Sequence, residues 1–476
     1  MAPNTPAGRP GTLTADEEEK LRQLWAVTMK VFGVGTTLEE ASGVDSAVSA
    51  PVSEASDNDG KKEKKKSRLS VFKRSKGDKG ADAETIASGA RTSTDIHSIS
   101  LPADDDKFGQ NQEYKAALAN TPPEELRQAF WAMVKHDHPD ALLLRFLRAR
   151  KWNVEKALVM MVSTMHWRLK DMHVDDDIVL NGELGAVEQA GGSDAKVKKN
   201  AQDFLTQLRM GKSYLHGLDN EGRPMCFVRA RLHKAGDQTE ESLEKFTVFT
   251  IETARMLLRP PIDTATVVFD LTDFSMANMD YTPVKFMIKC FEANYPESLG
   301  TVLVYKAPWV FNAVWSIVRG WLDPIVASKV HFAKNIDELQ KYVPRSQIPA
   351  DCGGDEKWQY AYPEPIAGEN DRMKDVATKQ SLLAQRKSIV ERYETTVLDW
   401  VRTGREGQGA DGRRQERDAV AEELRQNYWQ ADPYVRARSL YDRMGVIGDG
   451  GKVDFYPQAR KENAKPAANT SADDLD

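Results

Sequence analysis

The chain has 476 residues, with 66 Lys+Arg against 72 Asp+Glu and a net charge of −6. That length suits two or three domains, or one domain with long extensions, and the mildly acidic balance removes any global signature of nucleic-acid binding. Three widely spaced cysteines, Cys226, Cys290 and Cys352, make no disulfide framework and suit a reducing compartment.

The N-terminus lacks the apolar core of a signal peptide, so the expected compartment is the cytoplasm. Residues 14–33 predict an acidic-started amphipathic helix with Leu21, Leu24, Trp25, Met29 and Phe32 on one face. Residues 36–110 are expected to be a disordered linker, rich in Ser, Ala, Gly, Asp and Lys and lacking periodicity. Within it, residues 61–79 hold ten Lys/Arg against Glu63 and Asp78. Two readings stand open for this run: a solvated tail or targeting signal, or a patch for anionic lipid.

Compact structure is expected from residue 111, beginning with a helical unit to 172. Inside it, "LLLRFLRARKW" (142–152) threads four cations among apolar residues. Arg145 and Arg148 are expected on the solvated face of a core helix. Arg150 and Lys151 fall where that helix stops, and Asn153 reads as the N-cap of the next. Two cations at a helix–helix corner suit an anion, phosphate above all, although a solvated corner is the plainer alternative.

A polar stretch, 173–200, bridges to a region of different rhythm. Residues 222–231, 265–272, 300–307 and 328–333 read as strands, with 240–259, 282–294 and 308–322 as helices between them. The second and third strands are almost continuously apolar, as parallel strands buried on both faces should be. The fold class expected is therefore α/β: a small helical unit followed by a mostly parallel sheet. In 282–294, Val284, Met287, Cys290 and Phe291 share a stripe that reads as core. Residues 308–324 form the longest apolar run, too short and too interrupted to span a bilayer yet apolar nearly all round. The extension 366–476 predicts two amphipathic helices around a Gly-rich link, then a disordered tail from about 458. The expected divisions are 1–35, 36–110, 111–172, 173–365 and 366–476.

Catalytic signatures are missing from this sequence. There is no G-x-S-x-G elbow. VIGDGGKVD fails as a phosphate-binding loop, with Val446 and Val453 where Gly and Ser/Thr are required. His136 and His138 have no Cys/His partners nearby, so no metal is expected. Asp270 and Asp273, at a strand end, are candidates for acid/base work but more commonly such residues cap a turn. No catalytic residue and no cofactor is expected.

Six segments taken in order resemble the CRAL-TRIO lipid-binding family, in particular fungal phosphatidylinositol-transfer proteins of the yeast secretory type. They are LLRFLRARKWNVEKA with HWR (143–168), DxEGRP (219–224), VVFDLTDFS (267–275), ANYPESLG (293–300), KAPWVFNAVWSIVRGWLDP (306–324) and IPADCGG (348–354). The resemblance covers about 120–360. It implies a lipid cavity with the sheet as floor and apolar helices as walls, and a bound phospholipid as the ligand. It assigns the phosphoinositide headgroup to Arg150, Lys151, Glu297 and Lys329. A mobile gate would be 308–322, with Trp309, Phe311, Val314, Trp315, Val318, Trp321 and Leu322 as gate and cavity residues. Ala265 and Val267 replace the family's small hydroxyl residues, and Cys226 an aromatic hydroxyl, so phosphatidylcholine exchange is not expected. The altered surface suits a second, apolar lipid of sterol or isoprenoid type. Expected partners are phosphatidylinositol, that second lipid, a transiently touched membrane surface and, in a presenting role, a lipid kinase.

Overall fold

A computed structural model describes residues 5–35, 95–404 and 410–457. The lysine-rich run 61–79 and the tail after 458 lie outside the described residues.

Helix α1 (Ala15–Val31) starts at a capping box: Glu17 N–H donates to Thr14 Oγ1 at 3.3 Å, and Thr14 N–H to a Glu17 carboxylate oxygen at 2.8 Å. Its apolar face, Leu21, Leu24, Trp25 and Met29, is buried as the spacing predicts. It packs on the helical unit α2 (Gln110–Asn120), α3 (Pro123–Val134), α4 (Pro139–Ala149) and α5 (Val154–His166). The expected linker ends earlier than 110. From residue 95 the chain lies against this unit, with Ile99 and Leu101 buried.

The stretch 173–200, read as a polar bridge, is mostly helical: α6 (Val179–Ala190), followed by α7 (Ala195–Arg209). Asp194 starts α7 by accepting the N–H groups of Lys196 and Val197. The polar face of α7 is solvated while Phe204, Leu205 and Leu208 are buried, so a polar average concealed an amphipathic helix.

Five strands follow in spatial order β1 (Ser213–Leu218), β2 (Pro224–Arg229), β3 (Ala265–Asp270), β4 (Leu299–Tyr305) and β5 (Val330–Ala333). β1 runs antiparallel to β2 and the other pairs are parallel. Spatial order equals chain order, so right-handed crossovers all land on one face of the sheet. Those crossovers are α8 (Glu240–Leu257), α9 (Tyr281–Lys289) and α10 (Phe311–Arg319) with the short α11 (Pro324–Ser328).

The pleat divides the strands. Val267, Phe269, Val302 and Val304 point to the crossover helices, while Phe227, Val268 and Leu303 pack on the other face against Leu339, Val343, Ile348 and Cys352. Asp270 caps its own turn, accepting from Thr272 N–H at 3.0 Å, and pairs with Arg231 at 2.7 Å. That is the capping role expected of a strand-end aspartate.

The C-terminal extension is built into both cores. Helix α12 (Ile336–Leu339) leads out of the sheet; α13 (Val376–Thr403) then brings Val390, Tyr393, Val397 and Trp400 onto α1 and α3. Helix α14 (Ala410–Val435) adds Val420 and Leu424 to the same core, then Tyr428 and Trp429 to that of the sheet. Asp140, buried at the start of α4, accepts from Trp25 Nε1 at 2.7 Å, Tyr393 OH at 2.8 Å and Arg417 Nε at 3.4 Å. One carboxylate thus ties together helices separated by nearly the whole sequence. At the exposed edge of the sheet, Leu215 N–H donates to Tyr441 OH at 2.7 Å, which closes the edge with a side chain.

Candidate lipid-binding site

Between the sheet and its crossover helices lies a cavity of about 240 Å³. Val267, Phe269, Val302 and Val304 form its floor; Val284, Met287 and Phe291 on and beyond α9, and Phe311, Val314, Trp315 and Val318 on α10, form its walls. The α9 stripe read as plain core is therefore a cavity wall, except Cys290, which is fully buried behind it. Leu322 also lines the space.

Four expected cavity residues lie elsewhere. Trp309 precedes α10 and is 86% exposed. Trp321 turns outward, its ring 5.3 Å from that of Tyr281 and beneath the Lys285 ammonium. Cys226, level with Val267 in the ladder, packs in the neighbouring core toward β1. Ala265 sits at the first rung of β3 outside the lining. With Trp309, Ile317 and Ile325 also exposed, the outer surface of the α10–α11 region carries apolar side chains into solvent. Among the described residues no helix is long and apolar enough to cross a membrane.

A second pocket, of about 300 Å³, opens at the N-terminal edge of the parallel strands. Arg150, Lys151, Glu297 and Lys329 all line it, brought together from three distant segments. It shares Phe291, Leu299, Leu322 and Val326 with the apolar cavity, so a polar mouth and an apolar chamber have a common wall.

The local backbone explains the placement. Helix α4 ends at Arg150, and the next two residues adopt left-handed conformations, Lys151 at φ 51° and Trp152 at φ 64°. Such a conformation at a non-glycine residue costs on the order of 1 kcal/mol and persists only where surroundings enforce it. Here Trp152 N–H donates to Leu147 O at 2.7 Å and Asn153 caps α5 through Lys156 N–H at 2.9 Å. Glu297 is left-handed as well, at φ 53°. Its carbonyl accepts from Arg145 at 2.7 Å, and Arg145 also reaches Asp263 O at 2.5 Å. Arg148 meanwhile donates to Gly8 O at 2.7 Å and pairs with Asp263 at 3.3 Å. The two arginines expected on a solvated face are instead clamps that hold the pocket's opposite wall. Their periodicity was read correctly, but the partners that cover them come from residues 8, 263 and 297.

The charges in the pocket are only partly satisfied. Lys329 donates to Leu299 O at 2.9 Å, and its ammonium lies 3.8 Å from the Glu297 carboxylate. Arg150 donates to Gln110 Oε1, its Nε has no partner among the described residues, and burial lowers its pKa. Lys151 is exposed at the rim. An anion held here would relieve the desolvated guanidinium; the pocket's cations, Lys107, Arg150, Lys151 and Lys329, stand among the carboxylates of Asp104, Asp105, Glu292, Glu297 and Asp323.

Sequence reasoning missed the far side of this pocket. Asp104, Asp105, Lys107 and Phe108 line it from the segment read as disordered. Asp105 pairs with Lys156 at 2.6 Å, and that hydrogen bond, reinforced by Arg150 and Lys151, holds its carboxyl low. Lys107 pairs with Glu292 at 2.6 Å and also donates to Trp321 O, while Glu292 accepts from Asp323 N–H at 2.7 Å. This clasp fixes the C-terminal end of the α10 region. Lys107→Ala is expected to speed release of a fluorescent phospholipid roughly two- to fivefold, the range a partly exposed ion pair of below about 1 kcal/mol allows. Stopped-flow release measures it, and an unchanged rate would show that the clasp does not restrain α10.

The CRAL/TRIO domain model matches residues 208–354, and the model of the CRAL/TRIO N-terminal domain matches residues 110–163. The chain is 44% identical over 447 residues to CRAL-TRIO domain-containing protein C3H8.02 of Schizosaccharomyces pombe, covering 93% of this chain and 92% of that one. It is 35% identical over 457 residues to phosphatidylinositol transfer protein CSR1 of Eremothecium gossypii, covering 94% and 100% respectively. The solved structure of Sfh5 aligns with a TM-score of 0.36 at 18% identity, over 46% of this chain and 75% of its own. With a parallel sheet roofed by three crossover helices, and relatives matched almost end to end, the chain belongs to the CRAL-TRIO family.

Proposed function

We propose that this protein carries phosphatidylinositol between membranes. The inositol phosphate sits in the pocket of Arg150, Lys151, Glu297 and Lys329, and the acyl chains lie in the adjoining cavity. The observation that carries the reading is the shared wall: a charged pocket and an apolar chamber meet at Phe291, Leu299, Leu322 and Val326. A phospholipid has that division of chemistry within one molecule. Two acyl chains bury on the order of 30 methylenes at ~0.8 kcal/mol each, so such a lipid leaves a bilayer only for an equally dry place. Helix α10 is the gate, and the exposed Trp309, Ile317 and Ile325 meet the membrane while it is open. No covalent step is involved. The relative named as a phosphatidylinositol transfer protein supports this ligand.

The test combines Lys151→Ala with Lys329→Ala. Each removes a charge-assisted contact worth about 1.5–3 kcal/mol, so transfer between vesicles should fall by two orders of magnitude or more. Both side chains are at least partly exposed, so the melting temperature should hardly move. Mass spectrometry of lipids co-purified with each protein reads the result. Phosphatidylinositol retained by the double variant would overturn the headgroup assignment.

A further inference from the structure

Lys151 lines two pockets. One is the headgroup pocket; the other, of about 430 Å³, is a groove between α1 and the corner that joins α4 to α5. Lys20, Gln23, Ala26, Val27 and Lys30 form its α1 wall, at the spacing of one helix face. Lys151, Trp152, Val154 and Glu155 form the opposite wall, and Ile99 adds an apolar side chain.

The charge of this groove is one-sided. It holds the ammonium groups of Lys20, Lys30 and Lys151 against a single carboxylate, that of Glu155. None of the three lysines has a side-chain hydrogen bond or ion pair among the described residues. Lys20 and Lys30 stand ten positions apart on α1, about 15 Å along its axis. A compact anion such as phosphate reaches only one of them, whereas a chain with carboxylates at intervals reaches both.

The sequence carries such a chain beside the groove. The described residues stop at Gly35, five past Lys30, and resume at Asp95, four before Ile99. Residues 36–60 hold Glu39, Glu40, Asp45, Glu54, Asp57 and Asp59 and no Lys or Arg, ahead of the lysine-rich run 61–79. From Gly35 to Glu40, and again from Glu40 to Asp45, an extended chain covers about 17 Å. The first span suffices to turn back along α1, and the second matches the separation of Lys30 and Lys20. Tethered about five residues from the groove, the segment is held at an effective concentration on the order of millimolar, so contacts too weak for a free peptide serve here. An acidic partner from outside lacks that advantage and meets a chain of net charge −6.

We propose that the acidic segment 36–60 docks in this groove, with its carboxylates on Lys20, Lys30 and Lys151, and thereby competes with the lipid phosphate for Lys151. The competition rests on the headgroup reading, whereas the docking stands without it.

The experiment treats the full chain with a water-soluble carbodiimide, which joins ammonium and carboxylate groups in contact, and maps the links by peptide mass spectrometry. Links from Lys20, Lys30 or Lys151 to carboxylates of 36–60 are expected. They should exceed those to exposed lysines such as Lys198 and Lys341 about fivefold and fade near 1 M salt, where the screening length is about 3 Å. Phosphatidylinositol uptake is compared in parallel for wild type, Glu39→Gln/Glu40→Gln/Asp45→Asn and Lys20→Gln/Lys30→Gln. Both variants should lose most of the links and bind phosphatidylinositol about two- to fivefold more tightly at low salt, the range of one or two exposed ion pairs. Links confined to the groove with unchanged uptake overturn the competition for Lys151. Links spread evenly over exposed lysines, or none, overturn the docking, and links between two chains assign the groove to a second copy instead. Phosphatidylinositol taken up by none of the three proteins overturns the headgroup reading, and the links then still decide the docking.

Discussion

Removing residues 370–476 is expected to leave an insoluble or molten fragment, not a smaller lipid carrier. Helices α13 and α14 supply Val390, Tyr393, Val397, Trp400, Val420 and Leu424 to the core that holds Leu21, Trp25 and Phe130. At about 1.5–3 kcal/mol per buried side chain the loss is roughly 9–18 kcal/mol, as large as the whole stability of an ordinary domain. Polar groups are stranded as well. Asp140 loses Tyr393 and Arg417, and Arg127 and the Trp131 indole lose Glu394. Near-UV circular dichroism and dye binding report the collapse. A fragment that melts within a few degrees of the full chain and transfers lipid normally would overturn this account.

The second large effect is expected at the seam between the helical unit and the sheet. Arg168, 1% exposed, donates to Glu252 at 2.6 Å and to Asp175 at 2.9 Å. Lys135 pairs with Asp175 at 2.8 Å, and Tyr295 OH donates to Glu252 at 2.8 Å. Glu252→Ala leaves the buried guanidinium with half its counter-charge, for an expected loss of about 3–5 kcal/mol. Replacing Arg168 and Glu252 together with Met and Leu should cost far less, because no charge is left uncompensated. Urea midpoints of the three proteins separate these outcomes, and a double variant as unstable as Glu252→Ala would show that packing dominates.

The same seam sets a pH dependence. Burial alone would raise the Glu252 carboxyl, but Arg168, Arg255 and Lys135 override it and hold it well below the usual range; Asp175 is lowered likewise against its burial. The unfolded chain therefore binds protons that the folded chain refuses. The stability these groups contribute is complete above the ordinary carboxylate range and is lost as pH falls below about 4.5. In Glu252→Ala the slope of stability against pH between about 5 and 3 should be shallower than in wild type.

The parallel strands were legible because burial on both faces needs unbroken apolar runs, as in VVF and VLV. Strand β1 was not: SYLHGL has its outer edge covered by Tyr441, and Gly217, at φ 68°, lies in an irregular register. Of the proposed headgroup residues, Arg150 and Lys151 stood out at a helix corner, whereas Glu297 and Lys329 came only through resemblance, since nothing in their spacing brings residues 150, 297 and 329 together. The polar part of the cavity lining was invisible for a related reason. Gln207 and Lys212 share one turn, His233 and Asp280 lie on other segments, and all four line the cavity without a common period. Arg145 and Arg148 show the reverse case, where helical periodicity gave the right face but could not say what covers it.

The sheet and the helical unit also differ in when their parts leave the ribosome. Each strand of the sheet pairs with the one made just before it, so β1 to β5 can assemble in order of synthesis. The helical unit is finished at residue 166, yet its core is closed by α14, which ends at residue 435. At 5–20 residues per second the gap of about 270 residues is roughly 15–55 s, during which the core lacks Val420 and Leu424 and, for most of that time, Tyr393, the ring partner of Trp25. The nascent chain therefore exposes an apolar helical surface until α14 has been made, and its yield in the cell should respond to chaperone supply more than the stability of the finished protein suggests.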